Sequence, residues 1–173
     1  YVAKRFGDST AQMLGRLTLN PIKHIDLVGT ILVPAILLFA GGFLFGWAKP
    51  VPVDSRNFKN PKRDMIWVAV AGPLANLVMA FMWAGVLKLS IVFSNYDHWL
   101  ADPVRYMAQV GIQINIILMV LNLIPIPPLD GSKVLMGLLP GPMAYKLSRI
   151  EPYGFFIILA LIFLGVFSAI VQP

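Results

Sequence analysis

The stretch "NLIPIPPLDG", residues 122–131, is the most informative part of this chain, because it interrupts an apolar run with three prolines and an aspartate. A proline removes a backbone donor and ends a helix, and the residue before a proline is pushed to an extended conformation. We therefore predict a helix end at Asn122, then unwound chain, with Gly131 allowing a turn after Asp130. A carboxylate near membrane depth is costly, so Asp130 needs a partner or a function.

The rest of the chain has the composition of a polytopic membrane protein. Of its 173 residues, 58% are hydrophobic and 13% are charged, whereas a soluble domain carries about a quarter charged residues. The mean hydropathy is +0.76. The absence of cysteine excludes disulfides and thiolate metal sites. The net charge of +6 comes from short basic clusters between apolar segments, which indicates membrane topology rather than nucleic-acid binding.

Four apolar segments are long enough to cross the hydrocarbon layer of a membrane, which takes roughly 20 residues. They cover about 27–48, 65–87, 106–126 and 153–171. We predict an all-α polytopic membrane protein with three or four transmembrane helices, forming a single membrane-embedded core over residues 1–173.

The basic residues predict the topology, because cytoplasmic loops are rich in lysine and arginine. Segments 1–25, 49–64 and 131–151 are basic, whereas "SNYDHWLADP" within 89–104 has two acids and no lysine or arginine. The basic segments should therefore be cytoplasmic and 89–104 should face the other side. A re-entrant hairpin that turns near Gly41-Gly42 would keep both flanks of 27–48 in the cytoplasm, and we favour it over a plain span.

Several polar residues inside the apolar segments have two interpretations. Gly72 and Asn76, in "AGPLANL", share one helix face. They can serve helix packing, or Asn76 can donate hydrogen bonds to a substrate carbonyl or an oxyanion. For Gln113 and Asn115 we expect hydrogen bonds between helices. Asn122 differs because it directly precedes the proline break.

Asp130 also has two interpretations. In "DGSKVLMGLL" either Asp130 or Ser132 could cap the start of a short helix. Alternatively, the Asp130 carboxylate could be a metal ligand, since zinc accepts oxygen donors. His24 and His98 are isolated and do not begin a His-x-x-x-His pair. The residues of this chain therefore do not form a complete metal site.

These segments together resemble the site-2 proteases, the intramembrane zinc metalloproteases. "NLIPIPPLDG" is similar to that family's Asn-x-x-Pro-x-Pro-x-x-Asp-Gly signature, and "AGPLANL" resembles its Gly-x-x-x-Asn helix. "YVAKRFGD", "GRLTLNPIKHIDLVGT" and "GWAKPVPV" are similar to strings in short bacterial members. The resemblance extends over essentially the whole chain.

The resemblance implies a zinc-dependent endopeptidase that cleaves substrate proteins in or near a transmembrane segment. Asp130 would be the third ligand of one zinc ion. The family's His-Glu-x-x-His motif, with two ligands and the general base, is expected upstream of Tyr1. The chain would then hold no catalytic residue and would be inactive alone. Substrate-binding or metal-supporting roles would fall to Asn76, Asn122, Gly72, Pro125 and Pro127.

The resemblance also implies the partners and the location of the protein. The partners would be a transmembrane protein substrate, which could pair with the unwound proline segment as a strand, and the lipid bilayer, with no nucleic acid. The location would be a bacterial plasma membrane, with Asp130 near the cytoplasmic side. Two alternatives stay open: a membrane adaptor that has lost its chemistry (a pseudoprotease), or a small transporter with broken helices.

Overall fold

The computed structural model describes residues 1–39, 46–93 and 98–163, and all regular structure in these ranges is helical. The all-α prediction is therefore confirmed for them. The chain divides into two compact units, Tyr1–Pro61 and Lys62–Pro173, and each is described by itself.

Short helices and turns make up the first unit, and side-chain oxygens cap the N-termini of several of them. Asn20 accepts a hydrogen bond from the Ile22 amide at 3.0 Å, and Asp26 accepts one from Gly29 at 2.8 Å. Such caps satisfy amides that have no partner at a helix start. The elements are α1 (Val2–Arg5), α2 (Thr10–Met13), a 3₁₀ turn (Pro21–His24), a π-helix (Leu27–Leu32), α3 (Val33–Phe39) and a 3₁₀ turn (Ser55–Asn57).

Asp8 joins the two ends of this first unit. It is 2% exposed, and it accepts hydrogen bonds from the Asp54 amide at 2.9 Å, from Asn57 Nδ2 at 3.0 Å and from the amide and hydroxyl of Thr10. Burial raises the pKa of Asp8, but the four hydrogen bonds together outweigh burial and lower its pKa from 3.8 to about 2. An ionised Asp8 thus holds the 54–57 turn against the start of the chain.

The two flanks of the first apolar segment lie side by side. The Trp47 amide donates to the Gly29 carbonyl at 2.9 Å, and the Lys49 amide donates to the His24 carbonyl at 2.9 Å. The Thr30 hydroxyl donates to the Trp47 carbonyl at 2.8 Å. The predicted turn at Gly41-Gly42 lies outside the described residues, so the re-entrant hairpin stays a prediction.

Two long helices dominate the second unit. The predicted spans 65–87 and 106–126 correspond to α4 (Pro61–Phe93) and α5 (His98–Leu123), which are both long and apolar enough to cross a membrane. The remaining elements are α6 (Asp130–Leu138), α7 (Gly141–Ser148), a 3₁₀ turn (Glu151–Tyr153) and α8 (Gly154–Phe163). Only part of the predicted span 153–171 falls in the described residues, so the number of spans stays a prediction.

The proline segment separates α5 from α6 as predicted, but Gly131 has a different role from the one expected. It lies inside α6, where an added Cβ would be 2.3 Å from the Leu123 carbonyl oxygen. At Gly137 an added Cβ would be 2.4 Å from Cγ1 of Ile66 in α4. The predicted turn at Gly131 was therefore wrong. The two glycines let α6 lie directly against the end of α5 and the first turns of α4.

Candidate metal centre

Asp130 is the first residue of α6, and one of its carboxylate oxygens is held by a lysine. Its Oδ1 accepts a hydrogen bond from Lys133 Nζ at 3.2 Å. Leu129 is the N-cap residue and makes no side-chain capping bond, while the Ser132 hydroxyl donates to the Leu129 carbonyl at 2.7 Å. The predicted short helix is thus confirmed, but neither Asp130 nor Ser132 caps it.

The second carboxylate oxygen of Asp130 faces the backbone of α4 at Gly72. A Cβ added to Gly72 would lie 2.9 Å from Asp130 Oδ2, so the absence of a side chain there lets this oxygen approach the α4 backbone. None of the described residues donates a hydrogen bond to Oδ2. The structure therefore brings together two residues that the sequence singled out, and it leaves one carboxylate oxygen available.

The side-chain amides of the two asparagines of the predicted site also lack a hydrogen-bond partner among the described residues. Asn76 lies one turn beyond Gly72 on α4, and Asn122 lies in the last turn of α5. Both side chains are half-buried, and in the described parts of the chain neither finds a hydrogen-bond partner. Neither amide is among the fully buried polar groups that lack a partner in the described residues, so both are accessible to a ligand. Of the two prolines predicted to contribute, Pro127 is buried and Pro125 is exposed.

The proline segment 124–129 is not the extended edge that was expected. The amides of Ile124, Ile126 and Leu129 donate to the carbonyls of residues 121, 124 and 126, at 3.1, 2.8 and 3.0 Å. The other three residues are prolines, which have no amide hydrogen. A strand ladder needs both donors and acceptors. This segment can offer a partner strand only carbonyl acceptors.

One further polar residue differs from its predicted role, and the two histidines stay isolated or undescribed. Asn115 is buried, and its Nδ2 donates to the Gly111 carbonyl at 2.8 Å within α5. The predicted bond between helices was therefore wrong for Asn115. In the first unit, His24 Nε2 lies 3.0 Å from the Thr18 carbonyl oxygen, which occupies one of its two ring nitrogens. The side chain of His98 is outside the described part of the structure.

The carboxylate of Asp130 can serve as one ligand of a metal site. An Oδ2 atom without a hydrogen-bond donor among the described residues suits a cation held through a single oxygen. Over residues 1–39, 46–93 and 98–163, no three histidine, cysteine, aspartate or glutamate side chains come together in a way that could hold a metal ion. A complete zinc site would need ligands from outside these ranges.

Lys133 is the residue at this site that the sequence analysis missed, since it treated this lysine only as part of a basic loop. The spacing from Asp130 was the available signal, because residues three apart on a helix lie on the same face. That signal depended on knowing that the helix starts at Asp130 rather than after a turn at Gly131.

Comparison with known proteins places these features in a family. The sequence model of "Peptidase family M50" matches residues 90–165, which include the proline segment and α6. "Putative zinc metalloprotease YwhC" of Bacillus subtilis is 42% identical over 176 residues, covering 100% of this chain and 76% of the relative. Rip2 of Mycolicibacterium smegmatis carries the same description and is 30% identical over 166 residues, covering 94% of this chain and 59% of Rip2. No solved structure matches the chain.

Proposed function

The chain belongs to peptidase family M50, and from that premise we propose that it is the core of a zinc endopeptidase that cleaves substrate proteins in or near a transmembrane segment. The observation that carries the proposal is the carboxylate of Asp130, with Oδ1 held by Lys133 and Oδ2 open beside Gly72. An acid at the start of a short helix that follows an apolar one, with one oxygen uncommitted, is suited to binding a cation.

Asp130 is proposed as the zinc ligand that this chain contributes. A bound zinc ion would supply a Lewis acid that polarises the scissile carbonyl. Two histidine ligands and a glutamate base would come from a His-Glu-x-x-His segment preceding Tyr1, as the family resemblance implies. The 173 residues without such a segment are then expected to be inactive.

The amides of Asn76 and Asn122 are proposed to orient the substrate. Both are half-buried and uncommitted, so they can donate to the carbonyls of a peptide. The carbonyls of Pro125 and Pro128 accept no backbone hydrogen bond from the described residues. An unwound substrate helix exposes amides that need acceptors in an apolar setting. The proline segment would thus bind an unwound substrate through its carbonyls.

The proposed membrane arrangement places α4 and α5 across a bacterial plasma membrane. The basic segments then lie in the cytoplasm, with Asp130 near that side. The pairing of Trp47 and Lys49 with Gly29 and His24 supports a re-entrant hairpin over 27–48, because it keeps both flanks together. Cysteine labelling at Ser9 and Ser55 tests this: the same side is expected for both, and opposite sides would mean that 27–48 crosses the membrane.

Zinc analysis of the complete protein tests the proposed function. The purified protein in detergent should hold one zinc ion per chain and cleave a quenched fluorescent transmembrane peptide in liposomes. Asp130→Ala should abolish both zinc retention and cleavage. The matched control is Asp102→Ala, which removes an exposed aspartate of α5 and should change neither.

Two outcomes would overturn the proposal. Unchanged zinc in Asp130→Ala would remove Asp130 from the metal site. A complete protein that neither binds zinc nor cleaves the peptide would favour the adaptor that has lost its chemistry.

A further inference from the structure

The Asp130 carboxylate has two oxygens in different environments, and Lys133 creates the difference. Lys133 Nζ donates to Oδ1 at 3.2 Å, and the two side chains are 34% and 28% exposed. Oδ2 points to the Gly72 backbone. A carboxylate can bind a divalent ion through one oxygen or through both. A cationic donor on one oxygen favours binding through the other.

The backbone around Asp130 is fixed, so only the side-chain torsions of this residue can reorient its carboxylate. Gly131 packs against the Leu123 carbonyl, and Gly137 packs against Ile66. Ser132 is 1% exposed, and its hydroxyl is bound to the Leu129 carbonyl. These contacts pack α6 closely against the end of α5 and the start of α4. The contact with Lys133 restricts the rotation that is left to the Asp130 carboxylate.

We propose that Lys133 is a positioning residue, which holds Oδ1 of Asp130 so that Oδ2 alone, beside Gly72, binds the metal ion. This inference rests on the proposed function, since it takes Asp130 to be a zinc ligand. Lys133 itself carries no free electron pair when protonated, so it acts through Asp130 and does not bind the ion.

The plain alternative is an ordinary ion pair on a helix surface. Pairs three residues apart are common on helices and contribute little to stability. Such a pair would affect the unfolding of α6 slightly and leave metal affinity alone. Partners that orient a metal ligand act differently, because their removal typically lowers metal affinity by about 10- to 100-fold.

The test is a zinc titration of the complete protein in detergent, with a chelating indicator as competitor. Lys133→Met, which keeps the length of the side chain and removes its charge, should bind zinc about 10- to 100-fold more weakly. Lys133→Arg should restore affinity to near the wild-type value, and Lys133→Gln should fall between Arg and Met. Lys146→Met removes an exposed lysine of α7 and is the matched control; its affinity should equal that of the wild type.

Absorption spectra of the cobalt-substituted protein provide a second readout. The d–d bands of cobalt respond to coordination number, so a carboxylate that becomes free to bind through both oxygens should change their intensity in Lys133→Met and not in Lys133→Arg. Circular dichroism of each variant identifies any that fail to fold. If Lys133→Met fails to fold, the zinc affinities of Lys133→Arg and Lys133→Gln are compared instead.

The outcomes separate this inference from the proposed function. If Asp130→Ala loses zinc and Lys133→Met binds it as the wild type does, Lys133 is only a helix ion pair. Tighter zinc binding by Lys133→Met would also overturn the inference, because the lysine would then compete with the metal for Asp130. If Asp130→Ala retains zinc, the proposed function itself fails, whatever Lys133→Met does.

Discussion

Two aspartates, one in each unit, differ in how completely the protein satisfies them. Asp8 is 2% exposed, and it accepts four hydrogen bonds from Thr10, Asp54 and Asn57. The side chain of Asp130 is 28% exposed and has one ion pair, to Lys133. Both oxygens of the Asp8 carboxylate therefore accept hydrogen bonds within the fold, while one oxygen of Asp130 accepts none from the described residues.

Asp8 has both more hydrogen-bond donors and deeper burial than Asp130, and we propose that Asp8 is a structural acid and Asp130 a functional one. Donors around a carboxylate stabilise its charge and fix the backbone that carries them. A carboxylate oxygen that stays open in an apolar protein is costly unless a ligand uses it. Asp8 should therefore affect stability, and Asp130 should affect metal binding.

The largest effect is expected from Asp8→Ala. The substitution leaves the donors of Thr10, Asp54 and Asn57 without their acceptor, so the first unit should lose about 3 kcal/mol of unfolding free energy. Hydrogen exchange at the amides of Asn57 and Phe58, which bond to the carbonyls of residues 54 and 55, should then be roughly 100-fold faster.

The same substitution at Asp130 is the comparison for Asp8→Ala. Asp130→Ala removes one partly exposed ion pair, so it should change the unfolding free energy by less than about 1 kcal/mol. Equal losses of stability in the two variants would break the division between a structural and a functional aspartate.

A smaller effect on the free energy of unfolding is expected when the pH is lowered, and it again involves Asp8. Folding lowers the pKa of this carboxyl from 3.8 to about 2. The ionised form thus stabilises the first unit at every pH above 3.8, and the contribution disappears as the pH falls from about 4 to about 2. Its size is about 2 kcal/mol at neutral pH. Unfolding of the complete protein by dodecyl sulfate at pH 6, 4 and 2.5 should show the loss.

Asp8→Asn controls for other groups that titrate in the same range. The asparagine keeps one acceptor oxygen but cannot ionise, so this variant should lack the decrease between pH 4 and pH 2.5 that belongs to Asp8. If both proteins lose stability in parallel, the hydrogen bonds do not lower the pKa of Asp8 as the geometry indicates.

The long helices and their break could be predicted from local sequence. Apolar length is enough to define α4 and α5, and the prolines at 125, 127 and 128 are enough to end α5 close to Asn122. The helix beginning at Asp130 was one of two alternatives that the same sequence allowed. These features depend on residues close together in the chain, which is why pattern and propensity could identify them.

Contacts between distant residues could not be predicted in the same way. Gly131 after an aspartate indicates a turn in isolation, but the Leu123 carbonyl occupies the space that a Cβ would need. Asp8 was not singled out, because its donors at 54 and 57 are far along the chain. The family resemblance predicted that Gly72 and Asp130 lie in one site. The role of Lys133 could be recognised only from the structure, which shows that α6 starts at Asp130.

The smallest effect on stability, and the most specific one on metal binding, is expected from Gly72→Ala. The added Cβ would lie 2.9 Å from Asp130 Oδ2, and rotation of the carboxylate can relieve that contact. The unfolding free energy should change by less than about 1 kcal/mol, because the helix propensity of alanine offsets the strain. Zinc should bind about 10-fold more weakly, because the metal-facing oxygen is displaced from its position.

Gly85→Ala is the matched control for Gly72→Ala, since both glycines lie in α4 and nothing lies within 4 Å of a Cβ added at Gly85. It should stabilise the helix by up to about 1 kcal/mol and leave zinc affinity unchanged. If the two variants bind zinc equally well, the close approach of Oδ2 to Gly72 does not shape the site. Asp130 would then differ from Asp8 in its exposure and its smaller number of partners, without a contribution from Gly72. A loss confined to Gly72→Ala would show that the open oxygen needs the α4 backbone as one wall of its site.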